Sequence, residues 1–306
     1  MKRDNPFFKQ VDLLLRLLPH VAKEPDFAIH GGTAINFFVR DMPRLSVDID
    51  LTYLPIESRE DTLKNITQRL RSLAKKFRNT FPGIQIEEKK DSQGTVSKLL
   101  VNYESALVKI EPNLIIRGSV FTLEERDLSK KAEAEFEKFV SVRTLSFGAL
   151  YGGKICAALD RQHPRDLFDI KLLLENEGFT DEVRKGFLVY LISGNRPMNE
   201  LLNPILKDGR KVFENEFLGM ALSPVTYEEL EEARRNLIKM IKQDLTSDER
   251  RFLISFKEGK PEWDLLGIEG VVKLPAVQWK LANIAKMDPK KHAKAVEYLK
   301  KALDVS

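Results

Sequence analysis

Asp48 and Asp50, separated by Ile49, are the residues of this chain whose type and spacing most directly suggest chemistry. Successive side chains of a β-strand alternate faces, so the two carboxylates point the same way while Ile49 turns to the core. Like charges side by side repel, and a divalent cation relieves that repulsion. Magnesium suits the pair, because one or two protein carboxylates usually hold it and substrate phosphates complete its shell. Gly31-Gly32 stands upstream, at the end of the apolar run Phe27-Ala28-Ile29-His30, and has the shape of a turn that offers backbone N–H groups to a phosphate. Each half has an ordinary explanation, a tight turn and a solvated strand edge; their spacing, which lets them converge, argues for phosphate chemistry. His30 reads as a packed or capping histidine rather than a base.

Two further groups fit the same chemistry. Lys109-Ile110-Glu111 closes the apolar run 106–110, with Lys109 and Glu111 on one strand face. If that strand lies beside Asp48 and Asp50, Glu111 is a third carboxylate, enough for two magnesium ions. One would activate an attacking hydroxyl and the other would steady a departing pyrophosphate. The alternative is a strand-edge glutamate paired with a lysine. Lys154 and Arg161 are two helical turns apart and share a face, as do Asp166 and Asp169 at the start of the next helix. Two cations and two carboxylates around the corner at Pro164 suit either a triphosphate and ribose site or an interhelical salt-bridge network.

The elements that must position these groups follow from periodicity and capping. Residues 33–40 read as a short helix and 46–53 as a strand, completing a βαβ unit with the strand before the glycines. A helix over 6–22 precedes them, with Val11, Leu14, Leu15, Leu18 and Val21 as its apolar stripe. Ser58 and Asp61 form a capping-box pattern before a helix over 58–80, buried through Leu63, Ile66, Leu70, Leu73 and Phe77. Its other side carries Lys64, Arg71, Lys75 and Arg78, a basic ridge that is either a solvated face or a nucleic-acid backbone contact. Strands are expected over 84–88, 96–103, 106–111 and 141–145, with a loop at Asp91-Ser92-Gln93-Gly94 and a linker or surface helix over 130–138.

From residue 147 strand signals nearly vanish. Helices are expected over 147–161 and 164–175, after the capping pairs Thr226/Glu229 and Thr246/Glu249, and over 290–303. The fold class expected is α+β: a mixed-sheet domain over 1–145 with flanking helices, then a mainly helical domain over 146–306 that contributes substrate-binding residues.

At 306 residues, 42% hydrophobic and 31% charged, the chain has enough apolar mass for two domains. No apolar run approaches the roughly 20 residues that span a bilayer. Lys2 and Arg3 are followed by Asp4 and Pro6 without an apolar h-region, so no signal peptide is expected. The single cysteine, Cys156, cannot form an internal disulfide and reads as a small core residue. These features point to a cytoplasmic protein without membrane association.

The motifs together resemble the AbiEii/AbiGii-type toxin nucleotidyltransferases, a branch of the DNA polymerase β-like nucleotidyltransferase superfamily. Gly31-Gly32-Thr33-Ala34 with Ser46-Val47-Asp48-Ile49-Asp50 resembles the family's first motif, and Lys109-Ile110-Glu111 its short Lys-x-acid strand. Lys154, Arg161 and Arg165-Asp166-Leu167-Phe168-Asp169 are similar to its helical motif. The segments Phe252-Leu253-Ile254-Ser255-Phe256, Pro261-Glu262-Trp263 and Trp279-Lys280-Leu281 resemble its tail. The turn departs from the family's common Gly-Ser; Thr33 or backbone N–H groups would take the serine's place on phosphate.

The resemblance implies a magnesium-dependent toxin that transfers NMP from an NTP to an acceptor, with the tRNA 3′ end favoured and a protein side chain or small molecule as the alternative. A non-catalytic nucleic-acid-binding protein on the same scaffold is the remaining reading. It further implies metal binding by Asp48, Asp50 and Glu111, with Lys154 and Asp166 also catalytic. Nucleotide binding would involve Gly31, Gly32, Thr33, Ser46, Lys154, Arg161 and Asp169. The partners implied are an NTP, tRNA and a cognate antitoxin.

Overall fold

The computed structural model describes residues 5–92 and 94–305. Lys2, Arg3 and Asp4 of the N-terminal reading, and Gln93 of the 91–94 loop, lie outside the described residues. The chain divides into two compact units, one of Met1–Ser146 with Leu218–Pro224, the other of Phe147–Phe217 with Val225–Ser306.

The first unit runs α1 (Pro6–Val21), β1 (Phe27–His30), α2 (Gly31–Ala34), a π-type turn (Ile35–Val39), β2 (Asp48–Tyr53), α3 (Arg59–Thr80), β3 (Gln85–Lys90), β4 (Val96–Tyr103), β5 (Ala106–Asn113), β6 (Leu123–Asp127), α4 (Lys130–Phe136) and β7 (Ser141–Leu145). The strands form one mixed sheet in the order β3-β4-β5-β2-β1-β7-β6. β2 is parallel to β5 and β1 is parallel to β7, while the other neighbours are antiparallel.

One expectation is corrected. β1 and β2 run antiparallel, with Ile29 opposite Leu51 and His30 opposite Asp50, so they do not form a parallel βαβ unit. A parallel return needs a crossover long enough to carry the chain back along the strand. The short helix after β1 widens at once into the π-type turn, where Arg40 N–H bonds to Ile35 O (2.8 Å), and it hands the chain back near the end it left. β6 is a strand that periodicity did not indicate. It is an edge strand of sequence Leu-Glu-Glu-Arg-Asp, with no apolar alternation to mark it.

The apolar stripe of α1 is buried as its spacing requires, together with Leu13 and Leu17. On α3, Ile66, Leu70, Leu73 and Phe77 are buried while Leu63 is half-buried. Ser58 caps that helix, its Oγ accepting from Asp61 N–H (3.1 Å). The segment Leu218–Pro224 returns to this unit and pins the loop ahead of β2. Leu45 N–H donates to Met220 O and Leu222 N–H to Pro43 O, each at 2.9 Å.

The second unit is helical, with no strand among its described residues. It comprises α5 (Phe147–Arg161), α6 (Pro164–Asn176), α7 (Asp181–Ser193), α8 (Met198–Leu202), α9 (Arg210–Glu216), α10 (Tyr227–Asp244), α11 (Ser247–Lys257), α12 (Trp263–Leu266), α13 (Pro275–Ala285) and α14 (Pro289–Ala302). Thr226 and Thr246 form complete capping boxes with Glu229 and Glu249. α5 and α7 cross at backbone contact, because a Cβ on Gly152 would collide with Gly186, and one on Gly186 with the Gly148 carbonyl. No helix among the described residues is long and apolar enough to cross a membrane.

Candidate active site

In the sheet unit the site is built on β2 and its parallel neighbour. Asp48 pairs in register with Lys109, and Asp50 with Glu111. Ile49, Val108 and Ile110 are fully buried on the opposite face, so alternation turns the four charged side chains to one side. The structure thus brings Asp48, Asp50, Lys109 and Glu111 together.

Gly31 sits at φ +72, a conformation that glycine adopts without strain, and any Cβ there would collide with Asp50 Oδ2. A Cβ on Gly32 would fall 2.8 Å from Ser46 Oγ and 2.9 Å from Arg44 Nη2. The glycine pair therefore lets the turn lie directly against the aspartate. Asn36 Nδ2 donates to Gly32 O (2.9 Å), holding the turn from its far end.

Thr33 and Ser46 are packed beneath the turn. Thr33 is fully buried, and its hydroxyl donates to the Asp48 carbonyl (2.6 Å) and lies 3.1 Å from Ser46 Oγ. Ser46 is buried as well. Both hydroxyls brace the turn against β2. His30 occupies the N-cap position of α2 without a side-chain cap bond.

Charge at the site is balanced by lysines. Lys98 Nζ lies 3.1 Å from Glu111 Oε1, and Lys109 Nζ lies 3.3 Å from Glu111 Oε2 and 3.9 Å from Asp48 Oδ1. Partial burial alone would raise the Glu111 pKa. The hydrogen bond from Lys98 and the charge and hydrogen bond of Lys109 outweigh it, so the carboxyl is held below its ordinary range. Burial likewise opposes the charge on Lys109, but Asp48, Glu111 and Asp50 overcome it and hold its pKa above the usual lysine value.

The donor set fits a hard divalent cation: two aspartate carboxylates on one strand face, with Gly31 leaving the space beside Asp50 free of a side chain. Among the described residues no three His, Cys, Asp or Glu side chains form a ready-made cage. Glu111 occupies the register position expected of a third ligand, yet both its oxygens are engaged by lysines. Sequence reasoning missed Lys98 and Arg44. Arg44 is buried against the glycine turn, its Nη1 donating to Leu45 O (2.9 Å), and the only signal was a basic residue two positions before Ser46.

In the helical unit, α5 and α6 bring Lys154, Arg161, Asp166 and Asp169 together. Lys154 Nζ lies 2.9 Å from Asp166 Oδ1 and 3.0 Å from Asp169 Oδ2, and Arg161 Nη2 lies 2.9 Å from Asp166 Oδ2. Lys154 and both aspartates are buried, whereas the Arg161 side chain is 64% exposed. The chain of charges runs from a buried interior to a solvent-facing guanidinium. The corner is set by Pro164 at the first turn of α6 and by His163 as its N-cap, whose Nδ1 accepts from Arg165 N–H (3.1 Å).

The basic ridge on α3 is exposed at Lys64, Arg71, Lys75 and Arg78. Arg71 pairs with Glu88 (3.4 Å), and Arg78 reaches the Ile86 carbonyl (3.4 Å), so part of the ridge is tied to β3. Cys156 Sγ lies 4.0 Å from the Phe187 carbonyl, and burial pushes its thiol up to about 12.

The sequence profile described as "Nucleotidyl transferase AbiEii toxin, Type IV TA system" matches residues 12–283. The chain belongs to this family: it is a nucleotidyltransferase toxin of a type IV toxin–antitoxin system. Among solved structures it is similar to MenT4, a nucleotidyltransferase toxin from Mycobacterium tuberculosis, with a TM-score of 0.59 and 14% identity over 91% of this chain and 93% of that one. That likeness concerns the fold. A search of curated proteins gives no match.

Proposed function

We propose that the protein is a magnesium-dependent, cytoplasmic enzyme that transfers NMP from an NTP to the 3′ end of tRNA, blocking translation until its antitoxin intervenes. The observation that carries the metal-dependent part is the pairing of Asp48 and Asp50 on one strand face, with Glu111 opposite Asp50 and a glycine turn against it. Magnesium, when bound, would neutralise phosphate charge and favour the ionised acceptor hydroxyl.

The chain's own residues supply the rest. Asp48 and Asp50 would hold the first ion, and Glu111 would join a second once Lys98 or Lys109 gives way. Gly31 and Gly32 would let backbone N–H groups approach the triphosphate, with Thr33 and Ser46 keeping the turn in place. The acceptor oxygen forms a bond to the α-phosphorus as the bond to pyrophosphate breaks. The hydroxyl proton passes to the carboxylate nearest the acceptor.

Burial divides the roles in the helical unit. Arg161, exposed and carrying a forked guanidinium, is the group able to meet a phosphate, and Lys154, Asp166 and Asp169 hold it in position. The acceptor reading is supported by the chain's positive surplus.

Incubation with magnesium, each α-labelled NTP in turn, total tRNA and a protein extract tests the acceptor. Label in tRNA, released when the terminal nucleotide is removed, is expected. Label confined to protein would overturn the tRNA reading in favour of side-chain modification.

A further inference from the structure

The chain's positive charge is concentrated in its last segment. Residues 271–306 hold eight lysines against three acidic side chains, a surplus of five, while the whole chain has a surplus of four. Much of that charge lies on α14, and helical geometry sorts it. Lys290, Lys294, Tyr298 and Lys301 follow one another at intervals of three or four residues and form one exposed ridge, with the buried Leu299 on the opposite side. Tyr298 is 54% exposed. Along the ridge Glu297 pairs with Lys301 (2.6 Å).

The ridge ends in a cleft of ≈ 770 Å³ within the same unit. Tyr298 and Lys301 line it from α14, and Arg196, Lys207 and Lys242 face it from other elements. Asp160 and Glu200 partly balance those cations. The cleft has a fixed wall. Gln162, which is buried, accepts from Lys207 N–H (2.9 Å) and donates to Ile205 O (2.8 Å). The buried Arg234 donates to Gln162 Oε1 (2.8 Å) and to Lys207 O (2.7 Å). Two buried polar side chains therefore hold an otherwise irregular segment in shape.

A row of cations leading to an exposed ring at a polar, basic cleft is the chemistry of a single-stranded nucleic-acid site, where lysines track phosphates and an aromatic face stacks a base. Four residues along α14 advance about 6 Å, on the scale of one nucleotide of an extended strand. We propose that α14 and this cleft dock single-stranded RNA, with phosphates on Lys290, Lys294 and Lys301 and a base on Tyr298. The inference rests on RNA being the acceptor and assigns docking to α14, whereas the α3 ridge was open in the sequence to either a solvated face or a nucleic-acid backbone contact.

Fluorescence anisotropy with the full-length protein and an unstructured RNA of about 12 nucleotides, over about 50–200 mM salt, tests the assignment. The triple variant Lys290→Ala/Lys294→Ala/Lys301→Ala is expected to weaken binding and reduce the log–log salt slope by about 2. Tyr298→Ala is expected to lose about 5- to 150-fold in affinity, while Tyr298→Phe retains it. All four positions are exposed, so folding should be preserved. Wild-type binding by these variants, or loss of binding on replacing Lys64, Arg71, Lys75 and Arg78 instead, would overturn the assignment. The two readings fail separately. If the wild type labels RNA and the α14 variants do so with unchanged KM for RNA, the docking surface is wrong and the acceptor is right. If the wild type labels no RNA but binds the oligomer through α14, the acceptor is wrong and the surface stands.

Discussion

Lys154 has its ammonium between Asp166 and Asp169 in a setting almost without water. Bringing three charges into such a place is costly, and removing one partner leaves the others uncompensated. Lys154→Met is therefore expected to lower unfolding free energy by about 3–5 kcal/mol in urea titration. Arg161 lies at the exposed end of the same chain of charges. Arg161→Ala should change stability by less than about 1 kcal/mol, yet raise KM for NTP about tenfold or more. A Lys154→Met protein as stable as wild type, or an Arg161→Ala protein with normal KM, would contradict this division of roles. The four residues were evident from helical spacing alone. Their burial was not, because spacing says which side chains share a face but not how deep that face lies. Lys98 escaped notice for a related reason, since it reaches Glu111 across the β4–β5 register.

At the scale of elements, local chemistry predicted well where it was self-contained. The capping boxes at Thr226 and Thr246, the Ser58 cap and the proline-led start of α6 all form as their residues dictate. The strand carrying Asp48 was evident from alternation, but its direction relative to β1 was not, because direction depends on the path of the intervening turn. The tail motif at Lys280 also has a local role: its Nζ donates to the carbonyls of Leu191 (3.1 Å) and Gly194 (2.7 Å), closing the end of α7.

The His163 cap gives a pH-dependent prediction. Nδ1 accepts from Arg165 N–H, so the proton sits on Nε2, which donates to Glu216 (3.2 Å). Burial lowers the imidazole pKa more than Glu216 restores it. The unfolded chain then binds more protons between the folded value and about 6.5. This contribution is full above pH of about 6.5 and is lost as pH falls through the folded value. His163→Asn keeps a capping oxygen without a titrating ring. Its Tm should lose less than that of wild type as the pH is lowered through that window, and a parallel loss in both would contradict the cap assignment.

For the whole molecule, each unit holds its own charged cluster: the sheet unit sets carboxylates beside a glycine turn, and the helical unit sets a buried ion network beneath an exposed arginine. Periodicity showed where strands give way to helices near residue 147, because the change from alternating to helical spacing is abrupt there. The return of Leu218–Pro224 to the sheet unit was not foreseeable, since its pairing with the loop before β2 is a long-range contact with no pattern of its own. In the function proposed above, Asp48 and Asp50 hold the metal on which transfer depends. Pyrophosphate release with NTP, tRNA and titrated magnesium tests it most directly, comparing wild type with Asp50→Asn, a substitution that preserves shape and removes charge. At least a roughly hundredfold loss of rate is expected in the variant, in the range typical for removing a group that stabilises the transition state. A variant that releases pyrophosphate at the wild-type rate, with the same magnesium dependence, would contradict it.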